Sequence, residues 1–329
     1  MPVTSKDIAN RLGLSQPTVS RILNGTPGYR VSPATRQRVL DMARQLEYRP
    51  NAVARSLRHR KTNIVGFYTG YGVLEARNGF LAEVIGGLQR AADNRRLDLL
   101  LHGVFRGRST DDIYGELADG RIDGLIIHTS ADDPLVAKLA TSSLPVVAIA
   151  DPLPGLPSVG CDDGGGVRQL FELLWGRGHR KYAYVVPTIK LASVERRCTA
   201  FKEAAYAHGL TDADATTLRV GLEESGQILD WWEATPDRPS AICCWNDLAA
   251  FDLLHGSADH GIKVPEDLAV VGFDGYYDRR LTSRRLTTAV ASWQEVTRVA
   301  IKMLVARING EEVPIESAVP VTISEGDTA

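Results

Sequence analysis

Cysteine is scarce in this sequence: Cys161, Cys198, Cys243 and Cys244 are the only four in 329 residues. None shows CxxC or Cys/His ligand spacing, so neither a disulfide framework nor a zinc site is expected, and the thiols read as reduced in a cytoplasmic protein. No window reaches the roughly 18 apolar residues of a membrane span. The N-terminus lacks the apolar run of a secretory signal. There is no GxxxxGK[ST] phosphate loop and no HExxH. Gly70-Tyr71-Gly72 follows an apolar run but lacks the third glycine of a dinucleotide fingerprint. The seven histidines have no partner spacing for a triad. These absences argue against an enzyme and against a resident metal or cofactor. No low-complexity tract or short repeat occurs.

What is present is ordinary in bulk and uneven along the chain. Hydrophobic residues make up 44% and charged residues 24%, enough for a real core, and the length suggests two or three domains. The net charge of −2 hides an asymmetry: residues 1–62 hold 12 Lys and Arg against 3 Asp and Glu, a net of +9, which leaves −11 on the rest. A basic head on an acidic body points to a polyanion met by the head alone.

The head reads as helices with punctuation. Thr4-Ser5-Lys6-Asp7 is a capping-box variant with Asp in place of Glu or Gln. Ile8, Ala9 and Leu12 share one face of the helix that follows, and Gly13 ends it. Ser15 can cap a second helix, SQPTVSRILN, with Pro17 in its first turn. Val19, Ile22 and Leu23 recur at helical spacing; Gln16, Ser20, Arg21 and Asn24 form the opposite face. Ser32-Pro33 starts a third helix, with Val39, Leu40, Ala43 and Leu46 expected inward. Two helices around a short glycine-bearing turn, packed by a third, form the helix-turn-helix pattern, whose second helix enters the major groove of DNA. There Gln16 suits adenine and Arg21 suits guanine. The alternative is a three-helix bundle with a solvated basic face. Residues 49–58, RPNAVARSLR, allow one short helix capped by Asn51, too short to be stable alone in water. It carries Arg55, Arg58 and a lone Leu57, which suits a minor-groove wedge; a frayed linker is the alternative.

From Asn63 onward, apolar runs alternate with helical periods. Strands are expected at 64–68, 97–104, 122–128, 145–150, around Val159, at 182–186, 241–245 and 268–273, with helices between. This pattern predicts parallel sheets flanked by helices, in two sets with a cleft between them. Asp151 and Asp274 end apolar strands, where an open α/β sheet places its ligand. A carboxylate, an arginine and an amide around an aromatic platform suit hydroxyl groups. Other readings compete: Asn246-Asp247 can simply cap a helix, Trp293 can be core, and Asp274 can pair with Arg197. The run Asp162-Asp163-Gly164-Gly165-Gly166 can bind an anion at a helix start or make a tight turn.

The chain resembles the lac-repressor (LacI/GalR-type) family of bacterial transcription regulators. The resemblance rests on VTSKDIANRLGLSQPTVSRILNG, VSPATRQRVLDMARQLEYRPNAVARSL, GHRKYAYV, ERRCTAF, WNDLAA, VPEDLAVVGFD and LTT, spread over almost the whole chain. It implies an all-α helix-turn-helix head (1–49), a hinge helix and linker (50–62), and a two-lobed α/β body (63–329) like a periplasmic binding protein. The N-lobe would be about 63–160 plus 291–319, and the C-lobe about 161–290 plus 320–329. It also implies a cytoplasmic homodimer on a pseudo-palindromic operator, with no membrane role. The implied DNA-contacting set is Thr4, Ser15, Gln16, Pro17, Thr18, Ser20, Arg21, Asn24, Tyr29, Asn51, Ala54, Arg55 and Leu57, the last wedged into the central minor groove. The implied effector set is Phe80, Asp151, Ser193, Arg197, Asn246, Asp274 and Trp293, around a sugar or related metabolite. Where the family pattern has Asn, this chain has Asp163; it also has Gly79 for Pro, Ala200 for Gly, and a longer segment from Thr69 to Asn78 that carries Tyr71, Glu75 and Arg77. No heptad tail follows residues 320–324, so a dimer is expected rather than a tail-built tetramer.

Overall fold

Three capped helices open the chain: α1 (Ser5–Leu12), α2 (Gln16–Leu23) and α3 (Pro33–Gln45). In this computed structural model the described residues are 3–25, 28–49, 56, 61–71, 79–103, 107–189, 191–221, 226–275 and 284–329. Each start is fixed locally. Thr4 and Asp7 form the reciprocal capping box, Ser15 accepts from the Thr18 N–H, and Ser32 accepts from the Thr35 N–H. Gly13 ends α1 in the left-handed region, which glycine enters without steric cost. The three helices bury Ile8, Ala9, Val19, Ile22, Val39 and Ala43 together. Leu40 departs from its expected place: it is 36% exposed, because the inward stripe of α3 runs through Val39, Ala43 and Leu46 and leaves Leu40 on the outer side. The hinge residues Asn51, Ala54, Arg55 and Leu57 lie outside the described residues.

The chain divides into two units, residues 1–63 and 64–329. The second holds two six-stranded sheets. One runs β11-β5-β4-β3-β1-β2, from β1 (Ile64–Thr69), β2 (Asp98–Leu101), β3 (Gly124–His128), β4 (Val146–Ile149), β5 (Ser158–Cys161) and β11 (Glu316–Val319). Its pairings are all parallel. The other runs β12-β10-β9-β8-β6-β7, from β6 (Tyr182–Pro187), β7 (Ala215–Val220), β8 (Ala241–Cys244), β9 (Ala269–Asp274), β10 (Thr287–Ala291) and β12 (Val321–Ser324); only β12 is antiparallel. The central strands β1, β3, β4, β6, β8 and β9 are almost wholly buried, as strands covered by helices on both faces must be.

The covering helices are α4 (Gly79–Asp93), α5 (Thr110–Leu117) and α6 (Pro134–Ala140), then α7 (Asp163–Gly176), α8 (Ala192–Ala207), α9 (Gly226–Ala234) and α10 (Asp247–Asp259), and finally α11 (Trp293–Ile308). α11 returns to pack on α4 and the first sheet. The backbone crosses between the sheets after β5, after β10 and between β11 and β12. The glycine run settles as a packing device. Asp162 caps α7 through the Gly165 N–H at 2.8 Å, and a Cβ on Gly166 would lie 2.8 Å from Phe273 and 2.9 Å from Val321. The absent side chain lets the helix lie directly on the second sheet.

Candidate functional site

The exposed edge of α2 carries Gln16, Pro17 and Arg21. Their surroundings are ordered by local bonds. Ser15 Oγ lies 2.9 Å from Thr18 Oγ1, and the Tyr29 hydroxyl donates to Thr18 Oγ1 at 3.2 Å. The Arg21 guanidinium sits 5.2 Å from the centre of the Tyr29 ring, and Gln16 Nε2 donates to Ser5 Oγ at 3.3 Å. Of the expected contact residues, Ser20 is buried, and the half-buried Asn24 donates from Nδ2 to the Ser20 carbonyl at 2.7 Å. Helical periodicity sets both opposite Val19, but in so small a bundle the flank of α2 that carries Ser20 also meets its neighbours. Thr4 is exposed, with its hydroxyl donating to Asp7 at 2.7 Å in the capping box.

In the body, one aromatic group gathers on the first sheet's side. Phe80 of α4 meets Trp293 of α11 edge-on, with centroids 4.7 Å apart. Phe80 also lies 5.1 Å from His128, which Tyr71 covers at 4.7 Å. His128 ends β3; burial pushes its pKa down to about 4, so the ring is neutral at pH 7. Trp293 is 5% exposed, and its indole N–H, close to the Asp274 carboxyl, meets no acceptor at strict hydrogen-bond geometry among the described residues.

The second sheet's side is ionic. Arg197 on α8 donates from Nε to Asp163 Oδ1 at 2.7 Å and from Nη1 to the Trp245 carbonyl at 2.6 Å, and it stacks 3.5 Å from the centre of the Phe273 ring. Arg196 donates twice to Asp163 Oδ2, at 3.0 and 2.5 Å. Burial opposes the Arg197 charge, yet Asp163 above all, then Cys161 and Asp274, drive its pKa up. The alternative in which Arg197 pairs with Asp274 is not the bond formed: the guanidinium bonds to Asp163, whose backbone at the start of α7 brings its carboxylate within reach of both arginines. Asp274 is buried at the end of β9 with φ +128°, outside the usual range for a residue with a side chain. Burial raises its pKa well above the ordinary carboxylate range and Asp247 and Asp163 add to this, against the opposing charge of Arg197 and the nearby Trp293 N–H.

Asp151 joins the two lobes. It follows Ala150, whose φ is +73°, and its Oδ1 accepts from the Ser193 N–H at 2.6 Å. Ser193 lies in the first turn of α8, which has no side-chain cap of its own; a carboxylate from the other lobe takes that place. Burial raises the Asp151 pKa, and the bonds from Ser193 partly offset it. Asn246 caps α10, its Oδ1 accepting from the Ala249 N–H at 2.8 Å, so the simpler of its two readings accounts for that oxygen. A cavity of about 170 Å³ opens beside the β5 crossover, lined by Asp163, Arg196, Cys161 and Ser317; Phe80, Arg197, Asp274 and Trp293 do not line it.

Sequence reasoning places none of Asp163, Asp247 and His128 in the effector set. Asp247 is fully buried, accepts from the Gly275 N–H at 2.8 Å and from the Thr288 hydroxyl at 2.5 Å, and so fixes the backbone beside Asp274. His128 is detectable as a polar residue ending an apolar strand of a parallel sheet. Asp163 is detectable as an acid opposite an arginine doublet, once the fold brings α7 to α8.

Residues 4–51 match the model of bacterial regulatory proteins of the lacI family, and residues 171–329 match a periplasmic binding protein-like domain. The HTH-type transcriptional repressor PurR of Photobacterium profundum is 31% identical over 314 residues, covering 93% of this chain and 92% of its own. The chain belongs to the lacI family. The lac repressor dimer bound to operator and the anti-inducer ONPF superposes with a TM-score of 0.85 at 22% identity, covering 100% of this chain and 99% of that one. The transcriptional regulator CelR in complex with cellobiose gives 0.70 at 25% identity, covering 99% and 100%. The fold is thus a helix-turn-helix head with a two-lobed α/β body. As a lacI-family member the protein is a DNA-binding transcriptional regulator and not an enzyme. Regulators of this family bind operator DNA and small-molecule effectors and form dimers. No helix among the described residues is long and apolar enough to cross a membrane.

Proposed function

We propose that the protein is a cytoplasmic repressor that binds a pseudo-palindromic operator as a homodimer and is controlled by a small hydroxyl-rich effector, a sugar or related metabolite, held between its lobes. Gln16, Pro17 and Arg21 read each half-site, with Thr4, Ser15, Thr18 and Tyr29 positioning them; the hinge residues Asn51, Ala54, Arg55 and Leu57 are assigned from sequence alone. The effector meets Phe80 and Trp293 from one lobe and Arg197 and Asp274 from the other, with Asn246, Asp151 and Ser193 at the margin. The observation that carries this is the buried Trp293 N–H close to the buried Asp274 carboxyl at a strained strand end. A hydroxyl can accept from the first and donate to the second. That CelR is a regulator with cellobiose bound, and that PurR is named a repressor, supports the same reading.

Binding of the protein to its own upstream DNA, at fixed salt and against random DNA, tests it with and without a panel of sugars. Salt is held constant because phosphate contacts make affinity strongly salt-dependent. Specific binding that a sugar alters is expected. No preference over random DNA refutes the operator assignment, and specific binding that no small polar compound alters refutes the effector assignment. Arg21→Ala is expected to cost about 1–3 kcal/mol on operator and little on random DNA.

A further inference from the structure

We propose that Tyr29 serves the DNA-reading edge of α2 with two separable parts. Its ring holds the Arg21 guanidinium for base readout and so sets specificity; its hydroxyl directs a chain of hydrogen bonds that leaves the Ser15 hydroxyl as a donor to the DNA backbone and so sets affinity. This rests on the operator reading above. The ring comes first. Arg21 is exposed, and among the described residues its guanidinium has no hydrogen bond or ion pair; its contact is the Tyr29 ring, with the centre 5.2 Å from the guanidinium carbon. Asp7 and Asp41 of the head are engaged elsewhere, by Thr4 and by Gln37 and Arg44. A cation over an aromatic ring is attracted within about 6 Å. The N–H fork of Arg21 stays available to O6 and N7 of guanine. An arginine already restrained loses fewer rotamers on binding, and the benefit is confined to the geometry in which it reads its base.

The hydroxyl acts in the other direction along α2. It donates to Thr18 Oγ1 at 3.2 Å. Thr18 Oγ1 lies 2.9 Å from Ser15 Oγ, a pair in which either oxygen can donate. A hydroxyl that accepts one bond is a stronger donor in the next, so Tyr29 turns the Thr18 hydrogen toward Ser15. Ser15 Oγ also accepts the Thr18 N–H at 3.3 Å. Both of its lone pairs are then filled, and its own hydrogen is left for an acceptor outside the protein. Ser15 is exposed at the start of α2, and phosphate oxygens of DNA are acceptors of this kind, which fix position without reading sequence. Without the tyrosine hydroxyl the Ser15–Thr18 bond can reverse and consume that hydrogen.

The test is selection from a randomised duplex library by the full chain, followed by affinities of the selected duplexes at fixed salt. Arg21→Ala identifies the base pair that Arg21 reads, as the preference it erases. Tyr29→Phe keeps the ring; it is expected to weaken binding to all selected sequences alike, by about two- to tenfold, the range of one neutral hydrogen bond, with that preference intact. Tyr29→Leu is expected also to lower discrimination at that base pair by about two- to fivefold, the range of an exposed cation–π contact, and to leave the other preferences in place. A merely structural role for Tyr29 would dim all preferences together. In a Ser15→Gly background, where glycine still tolerates the cap position, Tyr29→Phe should have no further effect. The proposal is overturned if Tyr29→Leu spares the Arg21 preference, if Tyr29→Phe weakens it as much as Tyr29→Leu does, or if the Tyr29→Phe loss persists in the Ser15→Gly background. Should Tyr29→Leu select no motif, Tyr29→Met, which keeps bulk without a ring, decides by the same outcomes. If the wild type selects no motif, or Arg21→Ala erases no preference, the operator reading itself fails and the proposal falls with it.

Discussion

The head and the body place their polar groups in opposite settings. In the head, Gln16, Pro17 and Arg21 stand on the surface of a bundle with six buried apolar residues, and their neighbours are steadied by bonds three to eleven residues away in sequence. In the body, Asp151, Asp163, Arg197 and Asp274 are all buried and their partners come from distant segments. An exposed contact residue keeps its water, so deleting it removes a contact and little else. A buried one leaves its partner without water and without a bond. The same kind of side chain therefore carries different consequences in the two regions.

The largest break in that contrast is Asp163→Ala. It strands Arg197, whose side chain is 5% exposed, and is expected to lower stability by about 3–5 kcal/mol, as removing one partner of a buried pair does. Arg196, at 34%, is screened by solvent and adds little. Urea unfolding with an unchanged slope measures the loss; a shift below about 1 kcal/mol, the scale of an exposed pair, would mean that the site behaves like surface. Next comes Gly166→Ala, where the new methyl meets Phe273 and Val321, with a cost of about 1–3 kcal/mol by overpacking. Gly176 ends the same helix, and a methyl group there would meet nothing within 4 Å; Gly176→Ala is expected to be neutral or slightly stabilising by the same unfolding measurement.

What can be read from sequence follows the range of the interactions. Caps at Thr4, Ser15 and Ser32 are legible because both partners lie within three residues. Buried parallel strands such as β3 and β8 are legible as apolar runs. The pattern does not place β7, α9, β10 or α11: β7 mixes polar and apolar residues on a half-buried edge, and α11 packs on a sheet whose strands, β11 apart, lie more than a hundred residues earlier. Motifs name the candidate residues Phe80, Arg197, Asp274 and Trp293, but which carboxylate Arg197 bonds depends on the approach of α7 to α8, and no local pattern encodes that.

One carboxylate from each region, Asp7 and Asp274, is shifted in opposite directions. The Thr4 hydroxyl and N–H hold the Asp7 carboxylate below its ordinary pKa. That contribution is present above the unfolded pKa and is lost as pH falls through the folded one. Thr4→Ala is expected to cost about 1 kcal/mol near pH 7, the usual value of an N-cap, and less in acid. Asp274 has the reverse sign, because burial raises its pKa. Its contribution is complete below the unfolded pKa and is lost as pH rises through the folded one. Asp274→Asn is therefore expected to raise the melting temperature at pH 7, with a gain that shrinks as the pH is lowered, while sugar binding is lost. A gain independent of pH would show that the carboxylate is not titrating in the folded state.

The smallest expected effect lies in the head, at two neighbours that differ only in which way the helix turns them. Val39 is fully buried and Leu40 is 36% exposed. Leu40→Gln is expected to change stability by less than about 0.5 kcal/mol, as exposed substitutions generally do, whereas Val39→Ala removes packed methyl groups from the centre of the bundle. If chemical unfolding instead showed a loss of about 2 kcal/mol or more for Leu40→Gln, a core-sized penalty, the residue would be covered in solution by something beyond the bundle itself. The comparison of the adjacent pair thus measures how far the head's stability is its own.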